Sequence, residues 1–371
     1  MVIKTKKSFK KSFILLPLIL FLAIYNSNPE KITIFEGQKS NMLLGISAKA
    51  DNYKAVSATT TAKTYVIPSG EAIGVKLYTA GILVIGSGSV TDKNGKSFEP
   101  AKKAGILKGD RIVAANGEPI SDSNGLKRAI NRANGDVTLS VMRGDSSLNL
   151  PVSAVYSADT NSYLIGLWVR DSAAGIGTLT FYNPQNSTYA ALGHGICDYD
   201  TDLLMTAGGG SINFCKIKSV EKSKNGAPGE ILGEFSAQTE GNIIVNSEVG
   251  IYGNAFSLPN TAPVPVASRF ELEEGQAEIL CDVDGQGPKS YDIEITRIST
   301  SAKLSGKSFV FKICDPELLE KTGGIVQGMS GSPVLQNGKL IGAVTHVFVN
   351  DASRGYGIFA ENMLDMTNML K

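Results

Sequence analysis

A short glycine-flanked serine motif carries the strongest chemical signal in the sequence. Gly328-Met329-Ser330-Gly331-Ser332-Pro333 is typical of a tight turn that exposes Ser330 and lets the N–H groups of Gly328 and Ser330 point to one spot. Two such donors form an oxyanion hole, which stabilises the charge that develops when a serine attacks a peptide carbonyl. The motif differs from the G-x-S-x-G elbow because position 332 is serine, and an α/β-hydrolase is therefore disfavoured. We predict Ser330 as the nucleophile and Gly328 and Ser330 as the oxyanion hole.

A serine nucleophile needs a base, and the chain has 2 histidines. His194 lies between two glycines at the end of a predicted strand, upstream of Ser330. His346 lies in the middle of a predicted strand, 16 residues after Ser330 (346 − 330). We predict His194 as the general base, and His346 as a packed or pocket-lining residue.

The acid that would orient the histidine is not decided by spacing. Asp315 follows a predicted strand and precedes a proline, so its carboxylate could reach an imidazole from the strand end. Five other carboxylates compete with it, namely Asp198, Asp200, Asp202, Asp284 and Asp292. The first three form a turn after His194, which we interpret as a solvated acidic turn, with metal binding as the lesser alternative.

The cysteine pattern gives no metal or redox signal. The four cysteines are Cys197, Cys215, Cys281 and Cys314, and no two have the C-x-x-C spacing of a zinc or thioredoxin-like site. We expect no metal and no cofactor, and buried free thiols as the default state. Disulfides remain the alternative if the chain is exported.

Composition limits the classes of function. At 371 residues the chain is long enough for two or three domains, and 42% hydrophobic residues exclude a disordered protein. Lys+Arg 36 against Asp+Glu 35 leaves a net charge of +1, so a nucleic-acid partner is disfavoured. The 40 glycines favour many turns and short strands over long helices.

The N-terminus has the layout of an export signal or membrane anchor. Lysines without any acid precede an apolar run over residues 13–25, FILLPLILFLAIY. This run is shorter than the roughly 20 residues that span a bilayer. We therefore predict a signal peptide or anchor over 1–30, either cleaved or retained, followed by a linker over 31–64. The protein is expected to be extracytoplasmic, with its N-terminus as the membrane contact.

Residues 65–155 resemble a PDZ domain. The segment AGILKGDRIVAANG at 104–117 predicts a short helix, a strand and an Asn-Gly turn, and an amphipathic helix follows over 123–134. By this resemblance, Ile73-Gly74-Val75 would be the loop that holds the C-terminal carboxylate of a peptide. The peptide would add to an open sheet edge. The alternative is a small structural β-domain without a ligand.

Residues 156–371 form short predicted strands separated by glycine, asparagine and proline, with one helical tail around 361–370. Such spacing predicts an all-β barrel or a pair of sandwiches. The strand-end histidine, the acid and the serine all lie in this region.

Four features together resemble the SpoIVB peptidases of endospore-forming bacteria. They are a membrane-proximal N-terminus, a PDZ-like module, GHGICD at 193–198 and the block DPELLEKTGG to THVF at 315–348. The resemblance implies a mainly β chain with a chymotrypsin-like double β-barrel, and a triad of His194, Asp315 and Ser330.

The same resemblance implies a place and a partner. The protein would act between the forespore and mother-cell membranes in sporulation signalling. It would cleave itself, with self-association in trans as one route, and would cleave the membrane-bound regulator of the protease that processes pro-sigma-K.

Two functions therefore follow from the sequence. The first is a regulatory serine endopeptidase. The second is a catalytically silent, membrane-anchored PDZ scaffold, motivated by the PDZ signature and by a spacing of 121 residues (315 − 194) between histidine and acid, against 15 (330 − 315) between acid and serine.

Overall fold

The computed structural model describes residues 63–224, 226–299 and 306–370. The predicted anchor over 1–30 and nearly all of the predicted linker over 31–64 lie outside these residues. Among the helices that the described residues form, none is both long and apolar enough to cross a bilayer.

The structure is mainly β, as the sequence predicts. The first ten strands, β1 to β10, are Tyr65–Pro68, Ala72–Ser87, Val90–Thr91, Ser97–Phe98, Arg111–Ala115, Glu118–Pro119, Asp136–Arg143, Ser146–Ser153, Val155–Ser157 and Ser162–Leu164. The next seven, β11 to β17, are Leu167–Asn183, Thr188–Ala191, Ala207–Glu221, Glu230–Asn242, Val245–Ser247, Gly250–Asn254 and Val264–Pro265. The last six, β18 to β23, are Gly275–Cys281, Lys289–Ile298, Phe309–Ile313, Pro333–Gln336, Lys339–Phe348 and Asp351–Phe359.

Four helices accompany the strands within the described residues. Helices α1 to α4 are Pro100–Lys103, Ser123–Arg132, Pro316–Thr322 and Ala360–Met369. The predicted amphipathic helix is α2, whose N-cap Asp122 accepts a hydrogen bond from the Gly125 N–H at 2.8 Å. Its apolar side, with Leu126 and Ile130, is buried against the strands of the PDZ-like module. The predicted helical tail is α4.

A 13-stranded sheet forms the first half of the fold. Its main path is β15-β16-β12-β11-β2-β5-β7-β8, and β13, β14, β1, β17 and β6 attach beside it. Strands β2 and β11 are 16 and 17 residues long and pair with each other over most of their length. Both strands therefore run through the PDZ-like module and on into the neighbouring sheet.

The residues of the predicted carboxylate-binding loop form part of this sheet instead of a loop. Ile73, Gly74 and Val75 lie inside β2, where one side pairs with β11 and the other with β13. Their backbone groups face strands on both sides, because a central strand uses both of its edges. A peptide carboxylate has no access to them. Residues 65–79, at the start of the predicted PDZ-like module, also pair with strands after position 166, so the module and the neighbouring sheet share strands.

The second half of the fold is a closed barrel in the order β18-β19-β20-β23-β22-β21. Its interior is filled by large apolar side chains such as Phe309, Phe311 and Ile295, which are at most 1% exposed. A double barrel was expected, and only this second half closes among the described strands. The first half stays open because its long strands continue into the PDZ-like module.

Candidate active site

Ser330 lies on a loop, residues 327–331, which we call the oxyanion loop. Its backbone conformation requires glycine at two positions, 328 and 331. Gly328 and Gly331 have φ angles of +104° and +99°, in the left-handed half of conformational space. A Cβ on Gly331 would stand 2.1 Å from the Thr178 carbonyl oxygen. The glycines therefore let the loop press against β11 while Ser330 stays half-exposed.

Two buried threonines of β11 hold the oxyanion loop. The Thr178 hydroxyl donates to the Gly328 carbonyl and the Thr180 hydroxyl donates to the Gly331 carbonyl, each at 2.7 Å. The Thr178 N–H also donates to the Ser330 carbonyl at 2.9 Å. These threonines join the open sheet to the barrel at the nucleophile. The sequence gives no signal for them, because a threonine in a strand is ordinary.

The two predicted oxyanion donors, Gly328 and Ser330, have unpaired N–H groups among the described residues. The N–H groups of Gly328 and Ser330 make no hydrogen bond to any described residue, whereas Met329 and Gly331 donate to Val326 and Val344. The Gly328 N–H shares its peptide unit with the Gln327 carbonyl, which accepts a hydrogen bond from the Ile231 N–H at 2.8 Å. Both free donors belong to one short loop, which is the arrangement that an oxyanion hole requires.

His194 is held in the tautomer of a general base. Its Nδ1 lies 2.9 Å from the Gly195 carbonyl oxygen. A carbonyl can only accept, so Nδ1 carries the proton and Nε2 is the acceptor. Burial lowers the pKa of His194 below its ordinary 6.5, and the bond to Gly195 opposes this. Neutral His194 is therefore ready to take a proton.

His194 and Ser330 line the same cavity, of about 330 Å³, which we call the catalytic pocket. Its other walls come from β2, from β11, from the residues on both sides of His194 and from the oxyanion loop: Val75, Ala173, Ala174, Gly175, Ile176, Leu192, Gly195, Ile196, Cys197, Gln327 and Gly328. The Ser330 hydroxyl donates to the Thr345 carbonyl at 2.9 Å. To pass its proton to His194, Ser330 must turn its hydroxyl away from that carbonyl.

The second histidine lies beside the first. The rings of His194 and His346 are 5.2 Å apart between centroids and inclined at 43°. Partial desolvation of its ring, the neighbouring His194 and the Lys307 ammonium lower the pKa of His346 to about 4. Its side chain is exposed and is not among those that line the catalytic pocket. His346 therefore contacts the base without facing the pocket.

Asp315 is not brought to His194, which corrects the predicted triad. Its carboxylate accepts from the Leu318 N–H at 2.9 Å and caps α3, and the Asp292 N–H lies at 3.5 Å. No carboxylate contributes to the pKa of His194. In this arrangement the Gly195 carbonyl fixes the histidine tautomer, as Asp315 was expected to do.

The position of Asp315 along the barrel explains this separation. Val310 of β20 pairs with Tyr356, which pairs with His346. Asp315 lies five residues further along (315 − 310), and at about 3.3 Å per residue this is roughly 16 Å. Asp315 thus lies towards the end of the barrel away from the histidines.

Two of the remaining candidate acids, Asp198 and Asp284, have structural partners. Asp198 is buried, accepts from the N–H of Thr201 at 2.8 Å, and forms an ion pair with Arg170 at 2.7 Å. Asp284 binds Lys289 and Lys321, which lower the pKa of its carboxyl to about 2. Within 63–224, 226–299 and 306–370, no group of three or more His, Cys, Asp or Glu side chains could hold a metal ion. The turn after His194 is therefore stabilised by its own backbone and by Arg170.

All four cysteines are free thiols. Cys215 and Cys281 are buried, as expected, whereas Cys197 and Cys314 are exposed. Cys197 lies in the wall of the catalytic pocket, where burial, Asp202 and Glu248 raise the pKa of its thiol. Modification of the Cys197 thiol would therefore change the catalytic pocket, and the sequence pattern did not predict this position.

The family comparison agrees with this site. The model described as SpoIVB peptidase S55 matches residues 161–364, more than half of the chain. The chain belongs to the SpoIVB peptidase S55 family. The PDZ domain model matches residues 72–153. The SpoIVB peptidase S55 family is a serine peptidase family, and the range that its model matches contains His194, Ser330 and both threonines that hold the oxyanion loop.

Similar proteins include further proteases. The putative serine protease HhoA of Synechocystis sp. is 47% identical over 55 residues, which is 14% of each chain. The chain thus spans about a seventh of the length of this curated relative. The active form of the Rv3671c protease from M. tuberculosis is 13% identical with a TM-score of 0.30, covering 52% of this chain and 72% of that one. The HtrA-type protease AlgW, solved with a decapeptide, is 11% identical with a TM-score of 0.31, covering 54% of each.

Proposed function

We propose that this SpoIVB-family protein is a serine endopeptidase in which Ser330 attacks the peptide carbonyl and His194 is the general base. The observation that carries the proposal is the shared pocket of Ser330, a Nδ1-protonated His194 and two unpaired loop N–H groups. Nε2 of His194 would accept the Ser330 proton and return it to the leaving amine. The N–H groups of Gly328 and Ser330 would hold the oxyanion.

We further propose that the peptidase acts outside the cytoplasm in sporulation signalling, where the N-terminal segment over 1–30 holds it at a membrane. Its substrates would be its own chain and the membrane-bound regulator of the protease that processes pro-sigma-K. Membership of the SpoIVB peptidase family supports this context, and the basic and apolar N-terminus supports the compartment. Cell fractionation would test the compartment: recovery in the cytosol would contradict it.

Labelling with a fluorophosphonate tests the nucleophile. We expect one adduct on Ser330 in the wild type and none in Ser330→Ala, which should also lose cleavage of protein substrates while it stays folded. Ser332→Ala is the matched control, because Ser332 lies two positions away in the same motif but is buried and donates to the Met329 carbonyl. An adduct that persists in Ser330→Ala would contradict the assignment.

A second function remains a candidate, a catalytically silent PDZ scaffold. The Ser330 hydroxyl bonds the Thr345 carbonyl and no carboxylate contacts His194, and both facts favour a resting arrangement. A folded wild type that forms no adduct at Ser330 and cleaves no substrate would support the scaffold. An adduct together with cleavage excludes it.

A further inference from the structure

Strand β11 has one paired side and one open side. Over residues 167–178 one side pairs with β2. On the opposite side β12 pairs only from Leu179 onward, and no described strand pairs with Leu167–Gly177 there. We call this stretch the open edge. An open edge offers unpaired backbone N–H and C=O groups to another extended chain.

One end of the open edge lies at the nucleophile. Thr178, the next residue, donates its N–H to the Ser330 carbonyl on this side of the strand. Because backbone groups alternate along a strand, Ala174 and Ile176 present their N–H and C=O groups on the same side as Thr178. Both residues line the catalytic pocket. An added chain at this end would pass directly by Ser330.

The other end of the open edge lies in a groove beside α2. Leu167 and Val169 form one wall of a cavity of about 750 Å³, and α2 forms the opposite wall through Ser123, Leu126, Lys127 and Ile130. The Asp171 carboxylate accepts from the Ser123 N–H at 2.8 Å, which ties the helix to the strand. We call this cavity the groove.

The open edge therefore connects the groove to the catalytic pocket along a single strand. We propose that a polypeptide substrate adds to it as an antiparallel strand, with its scissile bond at Ser330 and its downstream residues in the groove. This inference rests on the proposed peptidase function and adds to it a rule of substrate selection.

Geometry sets the direction and the length of the bound chain. Strand β11 runs from the groove to Ser330, so an antiparallel partner runs from Ser330 to the groove. The residues in the groove are then C-terminal to the cleaved bond. From Leu167 to Gly177 is ten steps, or roughly 33 Å at about 3.3 Å each. A substrate thus needs about ten extended residues after the scissile bond to fill the whole edge.

The groove also sets the chemistry of the far end of the substrate. Its walls include buried Leu126 and Ile130 and the indole of Trp168, which is 64% exposed. Apolar side chains on the substrate would cover this surface. The expected occupant is an extended segment with apolar residues about eight to ten positions after the cleaved bond.

Peptide length provides the first test. A peptide that the wild type cleaves would be found by mass spectrometry in a proteome-derived library, and then shortened from about 12 to about 4 residues after the cleaved bond. We expect kcat/KM to fall about tenfold or more, mainly through KM, as hydrogen bonds and apolar contacts are lost. Equal cleavage of the two lengths would overturn the proposal.

Backbone methylation of the same peptide provides the second test. An N-methyl group removes a donor without changing the side chain. Methylation should lower kcat/KM about tenfold at those downstream residues that face β11 and much less at the residues between them. The strand proposal is refuted by an effect that lacks this alternation of two.

A matched pair of variants tests the groove. Lys127 lines the groove and the adjacent Arg128 does not, although both are exposed on α2. Lys127→Trp should fill the groove and remove most of the advantage of the long peptide over the short one, whereas Arg128→Trp should keep it. The reverse result, or no difference between the variants, would contradict the proposed position of the substrate.

The outcome separates this inference from the peptidase function. If no peptide is cleaved, the proposed function fails, and binding of fluorescent library peptides to Ser330→Ala decides the docking question. Tighter binding of the long peptides supports the open edge as a docking site. Binding that does not depend on length overturns it.

Discussion

Thr178 allows a direct test of how the oxyanion loop is held, because Thr178→Val removes one hydroxyl and keeps the shape of the side chain. Thr178 is 1% exposed, and its hydroxyl donates to the Gly328 carbonyl at 2.7 Å. The variant leaves that carbonyl buried without this donor, which costs about 1–3 kcal/mol of the free energy of unfolding. For a domain of this size, about 2 kcal/mol corresponds to a fall of roughly 4–8 °C in Tm.

The same change should slow catalysis. Loss of a whole oxyanion donor costs about 100-fold to 1,000-fold in kcat. Thr178→Val keeps the Gly328 N–H but frees the Gly328–Met329 peptide unit, which lies between the two oxyanion donors, so we expect a smaller loss, about tenfold in kcat, with KM little changed. Thr178→Ser keeps the hydroxyl and should recover most of both losses.

Calorimetry and steady-state kinetics on a cleaved peptide would measure the two effects. Thr322→Val is the matched control, since Thr322 is also buried and its hydroxyl donates to the Leu318 carbonyl at 2.8 Å, in α3. It should lose a similar Tm and keep its kcat. If Thr178→Val loses stability but not kcat, then the threonine does not position the oxyanion donor, and our reasoning about the loop is wrong.

Three further predictions concern the acid, the base and the pocket thiol. Asp315→Asn should keep both kcat and Tm, because asparagine also caps a helix. Asp315→Ala should lower the free energy of unfolding by about 1 kcal/mol in a denaturation curve. A loss of kcat near 10,000-fold in Asp315→Asn would instead identify Asp315 as the orienting acid. Because burial lowers the pKa of His194, the acid limb of a pH–rate profile should lie below pH 6.5, and a midpoint above that value would contradict a buried neutral base. The unfolded chain binds protons that His194 and His346 resist in the folded chain, so stability should also fall as the pH drops from 6.5 towards the value of about 4 for His346. A bulky maleimide on Cys197 should block cleavage of a peptide substrate. The variant Cys197→Ser should escape this inhibition, although its exposed Cys314 can still react. Inhibition that persists in Cys197→Ser would contradict the prediction.

Local chemistry was predictable from the sequence wherever neighbouring residues determine it. The glycine-flanked Ser330 loop, helix α2 and the Asn116-Gly117 turn, with φ angles of +52° and +82°, all follow from short-range rules. Asp315 also carried a readable signal, since Asp followed by Pro at the first helical position is a helix start. The interpretation of Asp315 as a triad acid passed over that signal.

Long-range pairing was not predictable in the same way. The alternating apolar residues of β2 fit a strand in the PDZ-like module as well as a strand in the neighbouring sheet, because burial pattern does not identify the partner. Ile73-Gly74-Val75 was therefore assigned to a loop, although it pairs with residues about 100 and 140 positions later. Thr178 and Thr180 escaped notice for the same reason, since their partners lie 150 and 151 residues away.

The shared strands β2 and β11 make the catalytic half of the chain a discontinuous domain. Its first strands, over 65–79, precede most of the PDZ-like module, and its remaining strands begin at Leu167, so most of the module is inserted within it. During synthesis the inserted module can close on local contacts, whereas the sheet that holds Ser330 must wait for β11 and β13 to emerge. Truncation between residues 80 and 160 would therefore remove strands from the peptidase, and a peptidase expressed from 156 onward would lack the strand at the centre of its own sheet.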